Sequence, residues 1–257
     1  MISDYFKKIE TYLGSLTKDE MDSLKNAREQ ITYGYKNKHY NYDTCIKKWA
    51  YAIHYGPIYA LQSTVALCNE NSLAFFIAQP DEVFIHGCAH FPESYALKRL
   101  FSLKKWVLGK SKINLIDRDE DWKPLISKIS VIPRQIFKNI DFIKHKLETS
   151  KAYSNSKTPF YIYQNCLNED QNSEIIKAII DCYKEAPKGA IFLISSIIYS
   201  DSRSGPVTFE DFDSTFNDIQ NQLVSIGCSK IKKFMDSLTY EPQYPSINCL
   251  DFENLTL

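Results

Sequence analysis

The chain has 257 residues, and its 31 basic and 31 acidic side chains give a formal net charge of zero. A hydrophobic fraction of 44% and a charged fraction of 24% are typical of a globular protein that buries a sizeable core without disulfides or metals. The balanced charge argues against a protein that binds nucleic acid or a membrane through its overall charge.

The seven cysteines bear on the cellular compartment. Their number is odd, no CxxC pair is present, and most of them lie inside apolar runs. That pattern is typical of reduced core thiols. The first residues lack the apolar run of a signal peptide, and no apolar stretch approaches the ~20 residues that a membrane span needs. We therefore expect a cytoplasmic protein that does not enter a membrane.

The chain is predicted to begin with helices. Apolar residues recur at helical spacing over residues 1–30, and Thr17 followed by Glu20 is a capping box that predicts the start of a second helix. Residues 31–42 are polar and rich in tyrosine, which favours a loop.

A third helix is predicted to begin at a cap formed by Asp43 or Thr44 and to run to about Tyr55. Gly56-Pro57 should break it, with a further helix to about Leu67. The first 75 residues therefore form a predicted helical cap.

From residue 76 onward the pattern changes to strands that alternate with helices. Four runs rich in β-branched and aromatic residues predict strands at 82–86, 112–116, 159–163 and 190–198. Amphipathic helices are predicted at 93–107, 122–129, 173–186 and 209–226. Two further strand-like segments, near 230–238 and 247–252, follow each other without a helix between them.

This alternation predicts an α/β fold with a Rossmann-like, mostly parallel sheet over residues 76–257. The strands are apolar on both faces, as buried parallel strands are. Because the last two strands are consecutive, we expect a C-terminal antiparallel hairpin at one edge of the sheet.

Polar residues follow the predicted strands, at the sheet edge where such folds bind ligands. Gly87 ends the first strand and allows a tight turn through which the backbone approaches a ligand. Asp117 ends the second strand, where a carboxylate accepts hydrogen bonds from ribose hydroxyls and repels a 2′-phosphate. Taken singly, each residue is better explained by an ordinary turn or helix cap, whereas the two together in this order are explained equally well by a ligand site.

Several segments in this order resemble motifs of the class I S-adenosylmethionine-dependent methyltransferases. Residues 83–91 (VFIHGCAHF) are similar to their first motif, and residues 113–117 (INLID) to the second, which ends in the ribose-binding acid. Residues 161–165 (YIYQN) occupy the place of the fourth motif, and Pro187-Lys188-Gly189 resembles the turn into the fifth strand. The resemblance covers about residues 80–255.

The resemblance implies S-adenosylmethionine as the cofactor and no metal. The residues that it implies for cofactor binding are Gly87, Cys88, Ala89, Asp117, Arg118 and Gln164. Asn165 would orient the acceptor, and His90 is a candidate general base. The methyl acceptor stays open between a small molecule, a protein and RNA, and the helical N-terminal region is expected to offer a surface to a protein partner.

Departures from the first motif favour an alternative function. Ala89 and Phe91 stand where that motif has its second and third glycines, and the acid expected near Ile85 is missing. A non-catalytic interaction protein built on a degenerate methyltransferase fold would explain both. A dinucleotide-dependent oxidoreductase is weaker, because the separation of Gly87 and Asp117 exceeds the ~20 residues expected.

Two further patterns are interpreted as structural. His86, Cys88 and His90 alternate as zinc ligands can, but no fourth ligand has a matching spacing. The basic segment 98–112 is expected to be an amphipathic helix with Phe101, Leu103 and Trp106 facing inward, although a nucleic-acid-facing helix would have a similar composition.

Overall fold

A computed structural model describes residues 2–36, 42–143, 157–164, 166, 172–195 and 209–228. Its five strands are β1 (Glu82–His86), β2 (Lys112–Asp117), β3 (Gln135–Asn139), β4 (Pro159–Gln164) and β5 (Ile191–Ser195). They form one sheet in the order β3–β2–β1–β4–β5, and every neighbouring pair is parallel. This is the order of a Rossmann-like sheet, so the predicted α/β fold with a parallel sheet is confirmed.

Eight helices accompany the sheet in the described part of the chain. They are α1 (Ile2–Leu13), α2 (Lys18–Lys36), α3 (Cys45–Cys68), α4 (Glu70–Leu73), α5 (Glu93–Leu103), α6 (Lys123–Ile129), α7 (Asn172–Glu185) and α8 (Phe209–Ser225). Short 3-10 turns at Leu108–Lys110 and Glu120–Trp122 precede β2 and α6.

The core has two parts, one on each face of the sheet. Successive residues of a strand point to opposite faces, and β1 shows this directly: Val83 and Ile85 join the cluster built with α1, α3 and α5, whereas Phe84 joins the cluster built with α7 and α8. Both faces of β1 and β4 are therefore buried, which explains why these segments are apolar throughout.

The capping box predicted before α2 is present. The Thr17 N–H donates to Glu20 Oε2 at 2.8 Å, and the Glu20 N–H donates to Thr17 Oγ1 at 3.3 Å. The helix then runs to Lys36, so the loop predicted from residue 31 is wrong over its first part. Thr44, and not Asp43, caps α3 by accepting a hydrogen bond from the Lys47 N–H.

The break predicted at Gly56-Pro57 is absent, because α3 continues through both residues to Cys68. Tertiary packing outweighs the local signal here. A Cβ atom on Gly56 would collide with the hydroxyl of Tyr5 and lie 2.8 Å from Nε2 of His90. The glycine thus lets α3 pack closely on α1 and on the chain that follows β1.

Two other elements differ from the predictions. The strand β3 was not expected, since its sequence QIFKN is partly polar; it pairs with β2 alone at the sheet edge, and Ile136 is 41% exposed. The helix α5 ends at Leu103 and not at residue 107, because Lys105 has a φ of +56°. Leu103 is consequently 47% exposed, so its predicted inward orientation is wrong.

The predicted boundary at residues 75–76 falls between α4 and β1. The two C-terminal strands predicted at 230–238 and 247–252 lie outside the described residues, and the sheet that is described is wholly parallel. None of the described helices is long and apolar enough to cross a bilayer.

The close packing at Gly56 predicts that Gly56→Ala lowers the free energy of unfolding by about 1–3 kcal/mol, the usual cost of overpacking a core. Chemical denaturation measures the change. Gly109→Ala is the matched control, because a Cβ atom there meets nothing within 4 Å. Equal effects of the two substitutions would contradict the role assigned to Gly56.

Candidate functional site

The turn after β1 has an unusual backbone. Gly87, Ala89 and Phe91 have φ values of +61°, +41° and +60°, which lie in the left-handed region. A non-glycine residue pays roughly 1–2 kcal/mol for that conformation. The backbone of this turn therefore has the conformation expected for three alternating glycines, although two of the three positions carry side chains. Gly87 is exposed at the end of β1.

Asp117 lies against this turn. Its Oδ2 accepts a hydrogen bond from the Ala89 N–H at 2.9 Å, and its Oδ1 accepts one from the Asp119 N–H at 3.0 Å. The Gly87 N–H donates to the carbonyl of Ile116 at 2.8 Å. The turn after β1 and the end of β2, where Gly87 and Asp117 were predicted to form a ligand site, are therefore hydrogen-bonded to each other.

The Asp117 carboxylate is only 9% exposed. Burial raises its pKa, although the hydrogen bonds from Asp119 and Ala89 oppose the shift. A carboxylate oxygen can accept two hydrogen bonds, and each oxygen of Asp117 receives one from the described residues, so each has capacity for one more. Arg118, next along the chain, is exposed and favours the ionised form of Asp117.

Phe91 turns away from the surface of the loop. Its side chain is 1% exposed and belongs to the same buried cluster as Ile85 and Ile53. The left-handed backbone at Phe91 therefore directs the ring into the core beside α3.

Gly87 also lies close to the tip of β4. The Cys166 thiol donates to the carbonyl of His86 at 3.2 Å, and a Cβ atom on Gly87 would lie 3.2 Å from the Cys166 sulfur. Burial raises the pKa of Cys166 and that of the 1%-exposed Cys88, so both thiols stay protonated at neutral pH. Neither is activated as a nucleophile.

Glu93, in the first turn of α5, is the main site residue that sequence reasoning missed. Its side chain is 3% exposed, and among the described residues Oε2 has no hydrogen-bond partner. Burial raises the pKa of Glu93 to about 8, although a hydrogen bond from its own backbone N–H opposes the shift, so the carboxyl is mostly protonated at neutral pH. The sequence showed only that Glu93 follows the segment Gly87–Phe91 at the predicted start of a helix.

His90 is enclosed by aromatic rings. Its ring centroid lies 5.6 Å from that of Tyr51, 6.4 Å from Tyr59 and 6.2 Å from Trp122. It is 1% exposed, and neither ring nitrogen has a hydrogen-bond partner among the described residues. Burial lowers the pKa of His90 to about 3, so the ring is neutral, with one N–H donor and one acceptor nitrogen.

Gln164, predicted to face the cofactor, is hydrogen-bonded to residues of α3. Its Oε1 accepts a hydrogen bond from Ser63 Oγ at 2.6 Å, and its Nε2 donates to the Tyr59 carbonyl at 3.0 Å and to Gln62 Oε1 at 3.2 Å. The side chain therefore fastens the tip of β4 to α3. Asn165, the predicted acceptor-orienting residue, lies outside the described residues.

Lys48 forms ion pairs that link α3 to the segment after β2. The lysine is 2% exposed, and its Nζ lies 2.8 Å from Asp119 Oδ2 and 3.3 Å from Asp121 Oδ2. It also lies 5.6 Å from the centroid of the Trp122 ring. Burial disfavours the charge, but the hydrogen bonds to the two aspartates outweigh it and raise the pKa of Lys48. These two ion pairs were not recognised from the sequence, because their members are 71 and 73 residues apart.

The alternating His86, Cys88 and His90 do not converge. The His86 ring stacks on Tyr163 at 4.0 Å and contacts the Ile162 carbonyl through Nδ1, whereas His90 lies beneath α3. Within the part of the chain that the structure describes, no group of three or more His, Cys, Asp or Glu side chains is placed to hold a metal ion.

Comparison with known proteins found no matching family model and no matching curated protein. Among solved structures, the chain is similar to human N-acetylserotonin methyltransferase in complex with SAM (TM-score 0.46, 14% identity, 86% of this chain and 64% of that one). It is similar to the plantazolicin methyltransferase BpumL in complex with a triazolic desmethylPZN analog and SAH (TM-score 0.45, 12% identity, 82% of this chain and 78% of that one). It is also similar to a SAM-dependent methyltransferase of Leishmania major (TM-score 0.41, 12% identity, 83% of this chain and 80% of that one). The chain thus spans less than two thirds of the human enzyme's length.

The left-handed backbone at Ala89 predicts that Ala89→Gly stabilises the protein. Removing the steric cost of roughly 1–2 kcal/mol should exceed the added backbone entropy of roughly 0.5–1 kcal/mol. Denaturant unfolding should show a gain of up to about 1 kcal/mol. Ala96→Gly, at a buried position inside α5, is the control and should cost about 1 kcal/mol. A loss of stability in both variants would show that residue 89 is not strained.

The raised pKa of Glu93 predicts how stability depends on pH. The folded protein holds this proton up to about pH 8, whereas an unfolded glutamate releases it near 4.5. The contribution of Glu93 is therefore fully present below about pH 4.5 and is lost as the pH rises to about 8.

The measurement for Glu93 compares the wild type with Glu93→Gln in denaturant unfolding over that pH range. As the pH rises, the free energy of unfolding of Glu93→Gln should increase relative to that of the wild type by up to about 1.4 kcal/mol per pH unit. Glu10→Gln, at an exposed position on α1, is the control, and its free energy of unfolding should change with pH as that of the wild type does. If the free energy of unfolding of Glu93→Gln also changes with pH as that of the wild type does, the buried Glu93 carboxyl is not protonated.

Proposed function

We propose that this chain is an S-adenosylmethionine-dependent methyltransferase whose cofactor binds at the tips of β1 and β2. The hydrogen bond from the Ala89 N–H to the Asp117 carboxylate carries the proposal, because it joins an exposed glycine turn to an acidic residue on the neighbouring strand. In a Rossmann-like sheet that arrangement positions an acid for the ribose hydroxyls of an adenosyl ligand.

The residues present fit such a ligand. Gly87 is exposed, and the backbone of Cys88 and Ala89 continues the turn beside Asp117. The free acceptor sites of Asp117 suit a neutral ribose and disfavour a 2′-phosphate. Arg118 supports the ionised state of Asp117 and completes this group of binding residues.

When bound, the cofactor would supply an electrophilic methyl group, and methyl transfer depends mainly on alignment and on exclusion of water. The rings of Tyr51, Tyr59 and Trp122 exclude water around His90. In this proposal His90, the candidate general base, would accept a hydrogen bond from the acceptor through its neutral ring, and Asn165 would orient the acceptor. Gln164 would hold the end of β4 against α3.

Two further expectations belong to this proposal. We retain a division into a helical cap, residues 1–75, and a methyltransferase-type domain, residues 76–257. A cytoplasmic location is supported by the described cysteines, Cys45, Cys68, Cys88, Cys166, Cys182 and Cys228, which are all free thiols.

Titration calorimetry with S-adenosylhomocysteine tests the proposed cofactor site. The wild type should bind, and Asp117→Ala should weaken binding by about 1–3 kcal/mol, because ribose hydroxyls lose their partner. Asp22→Ala, at an exposed position on α2, is the control and should bind as the wild type does. If the wild type shows no heat with millimolar S-adenosylhomocysteine or S-adenosylmethionine, the proposed function is wrong.

A further inference from the structure

We propose that two neighbouring loops at the amino-terminal edge of the sheet form a docking surface for the headgroup region of a bilayer that contains anionic phospholipids. The loops are residues 74–81, before β1, and residues 104–111, before β2. With the last turn of α5 they are called the docking surface below. The inference does not rest on the proposed function, because the proposed cofactor site lies at the opposite ends of the same two strands.

The first observation is a set of exposed aliphatic side chains on this surface. Ile77 is 91% exposed, Val107 is 55% exposed, and Leu103, at the end of α5, is 47% exposed. Single exposed apolar residues are common on soluble proteins, whereas several on neighbouring segments are typical of a surface that contacts another apolar phase.

The two loops are hydrogen-bonded to each other. Gln79 Nε2 donates to the Val107 carbonyl at 2.8 Å, and the Val107 N–H donates to Gln79 Oε1 at 3.3 Å. Lys104 Nζ donates to the Phe76 carbonyl at 2.8 Å. The aliphatic side chains of the two loops therefore belong to one continuous surface.

Aromatic packing below the loops holds these side chains outward. The rings of Phe76 and Trp106 pack edge to face, with centroids 6.1 Å apart. Ile77 and Val107 each follow one of these rings along the chain and are exposed. The left-handed backbone of Lys105, directly before Trp106, is a conformation that a protein retains only where the surrounding structure requires it. The exposure of Ile77 and Val107 is therefore fixed by the packing beneath them.

The charge of this surface is positive. Residues 98–112 contain six basic residues and no acid. The basic residues of this segment that take part in no ion pair among the described residues are Arg99, Lys104, Lys105 and Lys110. The only acid within residues 74–81 is Asp81, whose carboxylate accepts hydrogen bonds from the Lys157 and Thr158 N–H groups. The formal net charge of zero is thus unevenly distributed over the molecule.

An anionic bilayer matches the apolar and the basic features together. Aliphatic side chains gain free energy where headgroups meet acyl chains, and each nearby lysine or arginine adds an attraction to anionic headgroups. A single-stranded nucleic acid is a poorer match, because it binds by stacking its bases on aromatic side chains. The exposed apolar residues here are all aliphatic, whereas Phe76 and Phe101 are buried.

Docking at this surface leaves the proposed cofactor site uncovered. The loops precede β1 and β2, whereas Gly87 and Asp117 lie at the other ends of these strands. At about 3.3 Å per residue, a strand of the length of β1 separates the two regions by roughly 17 Å. The protein therefore presents its strand tips to the solvent while the docking surface contacts the bilayer.

Co-flotation of the full-length protein with unilamellar vesicles tests the inference. The vesicles contain either phosphatidylcholine alone or phosphatidylcholine mixed with phosphatidylserine. The wild type should bind the vesicles with phosphatidylserine at least about tenfold more strongly, as expected when two or more basic residues contribute. Added salt should weaken this binding, because it screens the attraction to the headgroups.

Substitutions of exposed valines isolate the apolar contribution. Val107→Ser should weaken binding to vesicles with phosphatidylserine by about 3- to 10-fold, because an aliphatic side chain no longer enters the bilayer interface. Val224→Ser, on α8, is the matched control, since both valines are 55% exposed, and it should bind as the wild type does. Ile77→Ser should weaken binding at least as much as Val107→Ser.

Substitutions of lysines isolate the electrostatic contribution. Lys110→Glu should weaken binding to vesicles with phosphatidylserine by about fivefold or more. Lys188→Glu, at an exposed position before β5, changes the net charge equally and should have little effect. Thermal unfolding verifies that each variant is folded.

Three outcomes would overturn the inference: no flotation of the wild type with vesicles that contain phosphatidylserine, equal binding to both kinds of vesicle, or equal effects of Val107→Ser and Val224→Ser. If the wild type instead binds a single-stranded RNA oligonucleotide and Lys110→Glu weakens that binding while no vesicle is bound, the surface serves a nucleic acid and the inference is wrong.

Discussion

The candidate site depends on the contact between the tips of β1 and β2. The Asp117 carboxylate receives the Ala89 N–H, and the Ile116 carbonyl receives the Gly87 N–H, so the turn after one strand is held by the end of the next. These bonds help to hold Ala89 and Phe91 in a left-handed backbone that their side chains disfavour. The position of Glu93 follows from that turn, since the helix that carries it begins immediately afterwards.

The helix α3 covers this contact and is attached at three points. Gly56 allows the helix to approach His90, Lys48 pairs with Asp119 and Asp121, and Ser63 binds Gln164. Each attachment reaches a different strand tip or loop of the site. The tyrosines of α3 thereby form the walls around His90, and the N-terminal helices contribute to the same buried core as the sheet.

The region around the turn after β1 contains buried polar atoms that have no hydrogen-bond partner among the described residues. Gln164 and Lys48 are buried but fully engaged, whereas Glu93 Oε2 and both nitrogens of His90 are not hydrogen-bonded within the described residues. Burial moves the pKa of Glu93 upward and that of His90 downward, so both side chains are neutral at pH 7. Glu93 and His90 therefore carry no charge in the free protein, and the charged groups of the site are Asp117 and its neighbours Arg118 and Asp119.

Local sequence determined the elements whose signals are local. The Thr17–Glu20 capping box, the apolar strands β1, β2 and β4, and the order of Gly87 and Asp117 along the chain needed no knowledge of distant residues, because neighbouring side chains and strand periodicity set them. Tertiary structure alone decided the rest. The edge strand β3 forms because β2 offers it a hydrogen-bonding partner, and α3 passes through Gly56-Pro57 because packing against Tyr5 and His90 outweighs a local breaking signal. The burial of Glu93 and Lys48 likewise arises from contacts between segments far apart in sequence, which no pattern of neighbouring residues specifies.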